Sequence, residues 1–409
     1  MVKEIFQDSF SRNIIFYFIF HILREPLFWG PVLIYYLQHQ GNMSLHGIYF
    51  METVVVLGFV ILEVPSGALA DLIGRRKTIM AGSFLYFLCD IIFSVGNAPW
   101  TMWVANVVWV VGASLCSGAD SAFLYDSLKY SKFWNTDDYK KIEGKAGAIR
   151  FLLFACGSLC AGYLAEINVR LPALLSIPFV FVSFLATLFF KELKNKNKHN
   201  RQEHWSLMKT SVLFVANHKK IKWIIAFTML LMVSGKIWFF TYNPYFEIID
   251  LPMRYWGWLF FTLNIVAMIF SWQAGRILKK FGEYRSIIGL VFVASLPIFL
   301  MGSFVAIPAV LFVLFQNVVR GFQGPFLNQF LNDHLDSENR ATVISIRSAV
   351  SGFCQAIGLG GFGLLLVLFS FEQNKAVLPF LLRILGGATL IVGIFLIFKF
   401  KKIFGGKKK

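Results

Sequence analysis

The sequence predicts an all-α membrane protein, with twelve transmembrane helices in two pseudo-symmetric six-helix bundles. Three observations predict it. Hydrophobic residues make up 57% of the 409 and charged residues 15%, where a soluble domain carries about 25% charged residues. Apolar segments near the ~20 residues needed to cross ~30 Å of hydrocarbon recur twelve times. Lys and Arg collect on one side: 30 of the 39 fall in the termini, in the loops after even-numbered spans or in the span ends that adjoin them, against three in the opposite loops.

The spans read as 13–36, 45–66, 77–97, 100–126, 146–166 and 171–190 in the first half. In the second half they read as 220–244, 255–274, 286–304, 306–330, 341–368 and 376–400. The first run is too long for a cleavable signal peptide and is interrupted by Arg24-Glu25, with Pro26 expected to bend it. Between the halves, residues 191–219 begin KELKNKNKHNRQEHW, a cationic linker with an apolar patch at Met208–Ala216 that suits a surface helix. The expected domains are therefore 1–190, a cytoplasmic linker 191–219, and 220–409. The charge asymmetry places both termini in the cytoplasm. It also accounts for the net charge of +17 by topology rather than by nucleic-acid binding. The basic tail would attract anionic lipid only secondarily.

All five cysteines lie inside spans, so no disulfide framework or zinc-like cluster is expected, and neither metal nor cofactor is called for. Cys156 and Cys160, four apart, read as small-residue packing. The Lys-, Asn- and Phe-rich composition points to an AT-rich bacterial genome.

Two motifs repeat between the halves. GALADLIGRRK starts at Gly67 and GRILKKFGEYR at Gly275, each with a second glycine seven residues on (Gly74, Gly282) and basic residues after it. EGKAGAIR ends in Arg150 and ENRATVISIR in Arg347, each just inside the following span. GALADLIGRRK resembles the signature loop of the major facilitator superfamily, and the resemblance covers the whole chain: twelve spans, a 6+6 division, a central loop and a degenerate second copy.

That resemblance implies a secondary transporter, rocking its halves around a solute site near the midplane, a monomer and not an enzyme. It implies a latch at the cytoplasmic mouth built from Gly67, Asp71, Gly74, Arg75 and Arg76, with Asp126 as the acid at the end of span four. Asp71 would face the positive N-terminus of span eleven. Leu72 stands where the family has a basic residue, so one rung of the network is missing. Two elements usual in drug–proton antiporters are also absent. Val108 replaces the arginine of span four, and span five has Gly157 and Gly162 without a following proline.

The family lines its cavity with spans one, four, seven and ten, which here carry Arg24, Glu25, Asp120, Lys236 and Arg320. Charges inside a bilayer are costly and mark pathways. Three cations against two acids favour an anionic or zwitterionic solute. Glu25 is the candidate proton carrier and Arg24 the candidate anion contact. Asp120 and Arg150, at similar depths, are expected to form an intramembrane pair. Asp90 and Arg383 are expected to be structural pairs or snorkelling groups, and whether Glu52 and Glu63 gate the two mouths is left open. A proton-driven drug or metabolite exporter, a lipid-modifying enzyme and a transporter-like sensor are the alternatives. The seven scattered His and the lone Asp137-Asp138 offer no catalytic cluster, and no P-loop supports ATP-driven pumping. The partners expected are a small solute, protons and lipid, with no nucleic acid.

Overall fold

The computed structural model describes residues 7–192, 218–334 and 337–404, and among the described residues every regular element is helical. Hydrocarbon cannot satisfy backbone N–H and C=O groups, so apolar segments of this length fold as helices that satisfy their own. Among the described residues, ten helices are long and apolar enough to cross a membrane. One of them, Met253–Ser303, has 51 residues and turns at Gly282 with φ 74°. At 1.5 Å per residue it would reach about 76 Å, more than twice the hydrocarbon thickness, so it holds spans eight and nine. Span one arrives in two pieces, Ser9–Leu23 and Leu33–His39. The twelve-span architecture follows.

Two spans differ in kind from the sequence reading. Span one does not bend at Pro26; its helix stops at Leu23 and regular helix resumes only at Leu33. Proline has no N–H to donate and disfavours helix in the residue before it, so Glu25-Pro26 ends the ladder. Span four is likewise interrupted, as Pro99–Cys116 and Ala119–Tyr130 around Gly118 at φ 74°. Other spans simply run further than hydropathy indicates. Tyr139–Ile167 and Lys219–Ile248 continue through lysines whose aliphatic stems can lie along the helix while their ammonium groups reach water.

Among the described residues the chain forms two compact units. One holds 7–43, 57–192 and 252–261, and the other 44–56, 218–251 and 262–404. Spans two and eight therefore each contribute to both units. In the first unit, Ile14, Tyr17 and Phe20 of span one pack with Phe123, Leu124 and Phe190. The second unit centres on Trp223, Phe227, Phe326, Phe330 and Phe400, and the Trp223 indole donates to the Leu396 carbonyl at 2.7 Å. Large side chains such as Trp100, Trp272 and Phe398 stay exposed, which lipid tolerates and water does not. Most of the expected linker, including Met208–Ala216, and the GGKKK tail lie outside the described residues.

Candidate functional site

In the first unit the two interrupted spans meet through their charges. Arg24 caps the first helix of span one and donates from Nη1 to Asp120 Oδ2 at 2.5 Å. Asp120 stands in the first turn after Gly118, where Oδ1 also accepts from the Ser121 N–H at 2.7 Å. A helix N-terminus carries partial positive charge, so the break at Gly118 gives this carboxylate a second stabilising partner. Both side chains are largely buried, at 16% and 8% exposure. Gly118 can hold its positive φ because it has no Cβ.

Beside that pair, Arg150 Nη1 donates to Glu25 Oε1 at 2.9 Å, and Arg24 Nε lies 4.0 Å from the same oxygen. Asp120, Arg24, Glu25 and Arg150 thus alternate in sign and sum to zero. The expected Asp120–Arg150 pair is corrected: Asp120 takes Arg24, and Arg150 takes Glu25. Depth counting assumed straight helices, but both carboxylates lie beside helix breaks. For the same reason the 100° separation expected of adjacent helical residues does not keep Arg24 and Glu25 apart.

The second unit holds the other two cations. Lys236 Nζ donates to Glu52 Oε1 at 2.8 Å and lies 5.0 Å from the centre of the Phe240 ring. Arg320 is exposed, and its contacts are amides: Nη1 to Asn317 Oδ1 at 3.3 Å and Nη2 to Asn264 Oδ1 at 3.4 Å. Asn317 in turn donates to Gln316 Oε1 at 3.2 Å, which also accepts from the Tyr242 hydroxyl at 2.7 Å. Among the described residues no carboxylate reaches Arg320. The cation surplus read from the sequence therefore resides at one residue.

At the end of the first unit near Gly74, Arg75 donates to Asp126 and, at 3.0 Å, to the Ala122 carbonyl. Gly74 has φ 98°, which disfavours any residue with a side chain, and a Cβ built there would lie 2.8 Å from the Glu192 carboxyl, which would have to swing aside. Glu192 also accepts from the Arg76 N–H at 3.5 Å, at the start of span three. Lys191 is pinned beside it: its N–H donates to Asn13 Oδ1 at 2.7 Å and its carbonyl accepts from Asn13 Nδ2 at 3.1 Å. Sequence reasoning treated Lys191 and Glu192 only as linker. The one signal available was an acid directly after span six beside a basic loop on the same side. Asp71 is exposed, and around Gly67 a Cβ would meet no described atom within 4 Å.

Comparison with known proteins decides the family. The sequence model of the Major Facilitator Superfamily matches residues 14–359. The chain belongs to the Major Facilitator Superfamily. Over 379 residues it is 22% identical to the uncharacterized MFS-type transporter YxaM of Bacillus subtilis (strain 168), covering 87% of this chain and 89% of YxaM. An uncharacterized transporter of Rickettsia felis is 27% identical over 256 residues, 60% of this chain and 59% of that protein. Among solved structures, the nucleoside transporter NupG superposes with TM-score 0.77 at 14% identity, covering 96% of this chain and 99% of NupG. A D-xylose-proton symporter superposes with TM-score 0.68 at 13% identity, over 95% and 96%. At these identities the structures show the fold alone.

Within this superfamily fold the remaining sequence candidates separate. Asp90 is buried with Oδ2 unpartnered and Arg383 is exposed over the Phe380 ring, so neither shows an ion pair among the described residues, and for Arg383 the snorkelling alternative stays open. Cys156 and Cys160 are exposed; the buried face of span five is made by Ala155, Gly157, Ser158, Ala161, Gly162 and Ala165 instead.

Proposed function

We propose that this superfamily member is a proton-coupled secondary transporter of a small anionic or zwitterionic solute. It works by alternating access in the cytoplasmic membrane, with both termini in the cytoplasm. Its moving parts are the halves 1–190 and 220–409, joined by the linker 191–219. Arg75 and Asp126, with Asp71, Gly74 and Arg76, serve as the cytoplasmic latch.

The observation that carries the solute class is Arg320, held by Asn317 and Asn264 with no described carboxylate in reach. Of the cations first considered for an anion, Arg24 is committed to Asp120 and Lys236 to Glu52. A guanidinium oriented by two amide oxygens keeps donors for a planar carboxylate or phosphate. The Arg24–Asp120 and Glu25–Arg150 pairs hold the interrupted spans of the first unit, and the proton coupling draws on carboxylates of this kind. A proton symporter among proteins of the same fold is compatible with that coupling.

The test is uptake into proteoliposomes under an imposed pH gradient, across panels of organic anions, zwitterions, sugars and nucleosides. An anion or zwitterion should accumulate with the gradient, and Arg320→Gln should raise its KM at least about tenfold, the loss expected of a charge-assisted pair. Preference for a neutral solute, with affinity unchanged in Arg320→Gln, would overturn the reading.

A further inference from the structure

Residues 44–56 belong to the second unit while the rest of span two belongs to the first. Four kinds of contact attach this segment to the second-half helices. The Tyr49 hydroxyl donates to the Ile237 carbonyl at 2.8 Å, and Thr53 Oγ1 donates to the Ala356 carbonyl at 3.4 Å. The Leu45 N–H donates to Glu372 Oε1 at 3.0 Å, with His46 Nδ1 3.8 Å from that oxygen. The fourth is the ion pair between Glu52 and Lys236, at 13% and 32% side-chain exposure. Alternating access, on which this inference rests, requires a segment held in this way to let go.

The four contacts do not resist release equally. The Tyr49 and Thr53 bonds join neutral groups and the Glu372 carboxylate is half exposed, whereas opening the largely buried Glu52–Lys236 pair strands two charges in a poorly solvated place. Glu25, at 43% exposure, is the more solvated carboxylate of the two ion pairs. Of the two carboxylates that join the sequence halves here, Glu52 is largely buried and Glu372 half exposed.

We propose that Glu52 and Lys236 form the coupling clasp of this transporter: a proton taken up by Glu52 releases span two from span seven and leaves the Lys236 ammonium to the anionic solute. The charges balance. A proton from water forms an O–H bond on the Glu52 carboxylate, the ionic hydrogen bond from Lys236 breaks, and the uncompensated ammonium is matched by one negative charge on the solute. One proton therefore travels with one anionic group, and the pair is restored when both leave.

The titratable groups on the packed elements include His46 and Tyr49 on the same segment, Lys236, Tyr242, Tyr245 and Glu247 on span seven, Arg347 and Cys354 on span eleven, and Glu372 and Lys375 after it. Among them Lys236 is in hydrogen-bond contact with Glu52. His46 Nδ1 faces the Glu372 carboxylate at 3.8 Å, so the test removes it.

A solute-free measurement isolates the clasp. A Cβ at Gly360 would lie 3.4 Å from Thr53 Oγ1, within disulfide reach. The full chain, with its native cysteines and His46 replaced, carries Thr53→Cys and Gly360→Cys and is oxidised in liposomes with copper phenanthroline. At pH 8 the parent should cross-link at least about fivefold faster than the same pair carrying Glu52→Gln, which reports the intrinsic thiol chemistry at each pH. At pH 5 the two rates should converge, and Lys236→Gln should behave as Glu52→Gln does. Equal rates at pH 8, or a difference that persists at pH 5, would overturn the proposal. If cross-linking responds to pH as expected and no anion accumulates, the transport reading fails alone. If anions accumulate with protons and cross-linking ignores pH, the clasp fails alone.

Discussion

Arg24 and Asp120 are 96 residues apart in sequence and joined at 2.5 Å, each at the end of a helix that stops part-way through its span. The pair therefore ties two interruptions together. Removing one partner leaves an uncompensated charge, at a cost of about 3–5 kcal/mol. Asp120→Asn and Arg24→Gln should each lower the unfolding temperature strongly in detergent. The double variant should lose less than the sum, and an additive cycle would show that the two do not act as a pair.

Gly74 and Gly67 look alike in the motif and differ in the structure. Gly74→Ala forces a side chain into a positive-φ position against Glu192, and should cost about 1–3 kcal/mol. Gly67→Ala meets open space among the described residues and lies inside the helix Leu45–Ile73, so thermal stability should stay level or rise slightly.

Glu192 supplies half of the Gly74 constraint, so the two positions should couple. Glu192→Ala removes the steric conflict and leaves the backbone strain, and the Gly74→Ala penalty measured in that background should shrink without vanishing. An unchanged penalty would mean the carboxyl moves aside freely. Glu192→Ala alone should cost up to about 1 kcal/mol as the charge at the start of span three is lost.

Asp8 gives a pH signature. Partial burial raises its carboxyl pKa, but the Ser11 hydroxyl and the Lys132, Ser11 and Phe10 N–H groups outweigh that and hold it below its usual 3.8. Because the folded value is depressed, its stabilisation is present above the unfolded value and is lost as pH falls through the folded one. Asp8→Ala should cost about 1 kcal/mol at pH 7 as a lost N-cap. The gap in unfolding temperature should close below pH 4, and a gap constant down to pH 3 would contradict the assignment.

Hydropathy and charge placement were enough to read the architecture, because bilayer length and the cost of burying backbone leave few alternatives. Boundaries were less legible where a helix outlasts its apolar run, as at Tyr139 and Lys219. The site was legible as a set of residues: Arg24, Glu25, Asp120, Lys236 and Arg320 all stood out as charges in spans. Their partners were not, because partner choice depended on breaks at Pro26 and Gly118 that rotate side chains away from straight-helix positions. Pro26 was visible as a disturbance, but its severity was not. Glu192 had no intramembrane charge to betray it, and only the fold brings it to Gly74.

The interruption of span one also bears on how the protein is made. Ser9–Leu23 has 15 residues, about 22 Å of helix, too short to cross the ~30 Å core on its own. The residues that follow it are charged, and a mid-helix charge adds about 2.5–3.5 kcal/mol to the cost of membrane insertion. The partner that neutralises Arg24 leaves the ribosome only with span four. Span one is thus expected to settle in the bilayer late, once a helix synthesised after it is in place, and a nascent chain ending before Asp120 should hold its first segment loosely at the membrane.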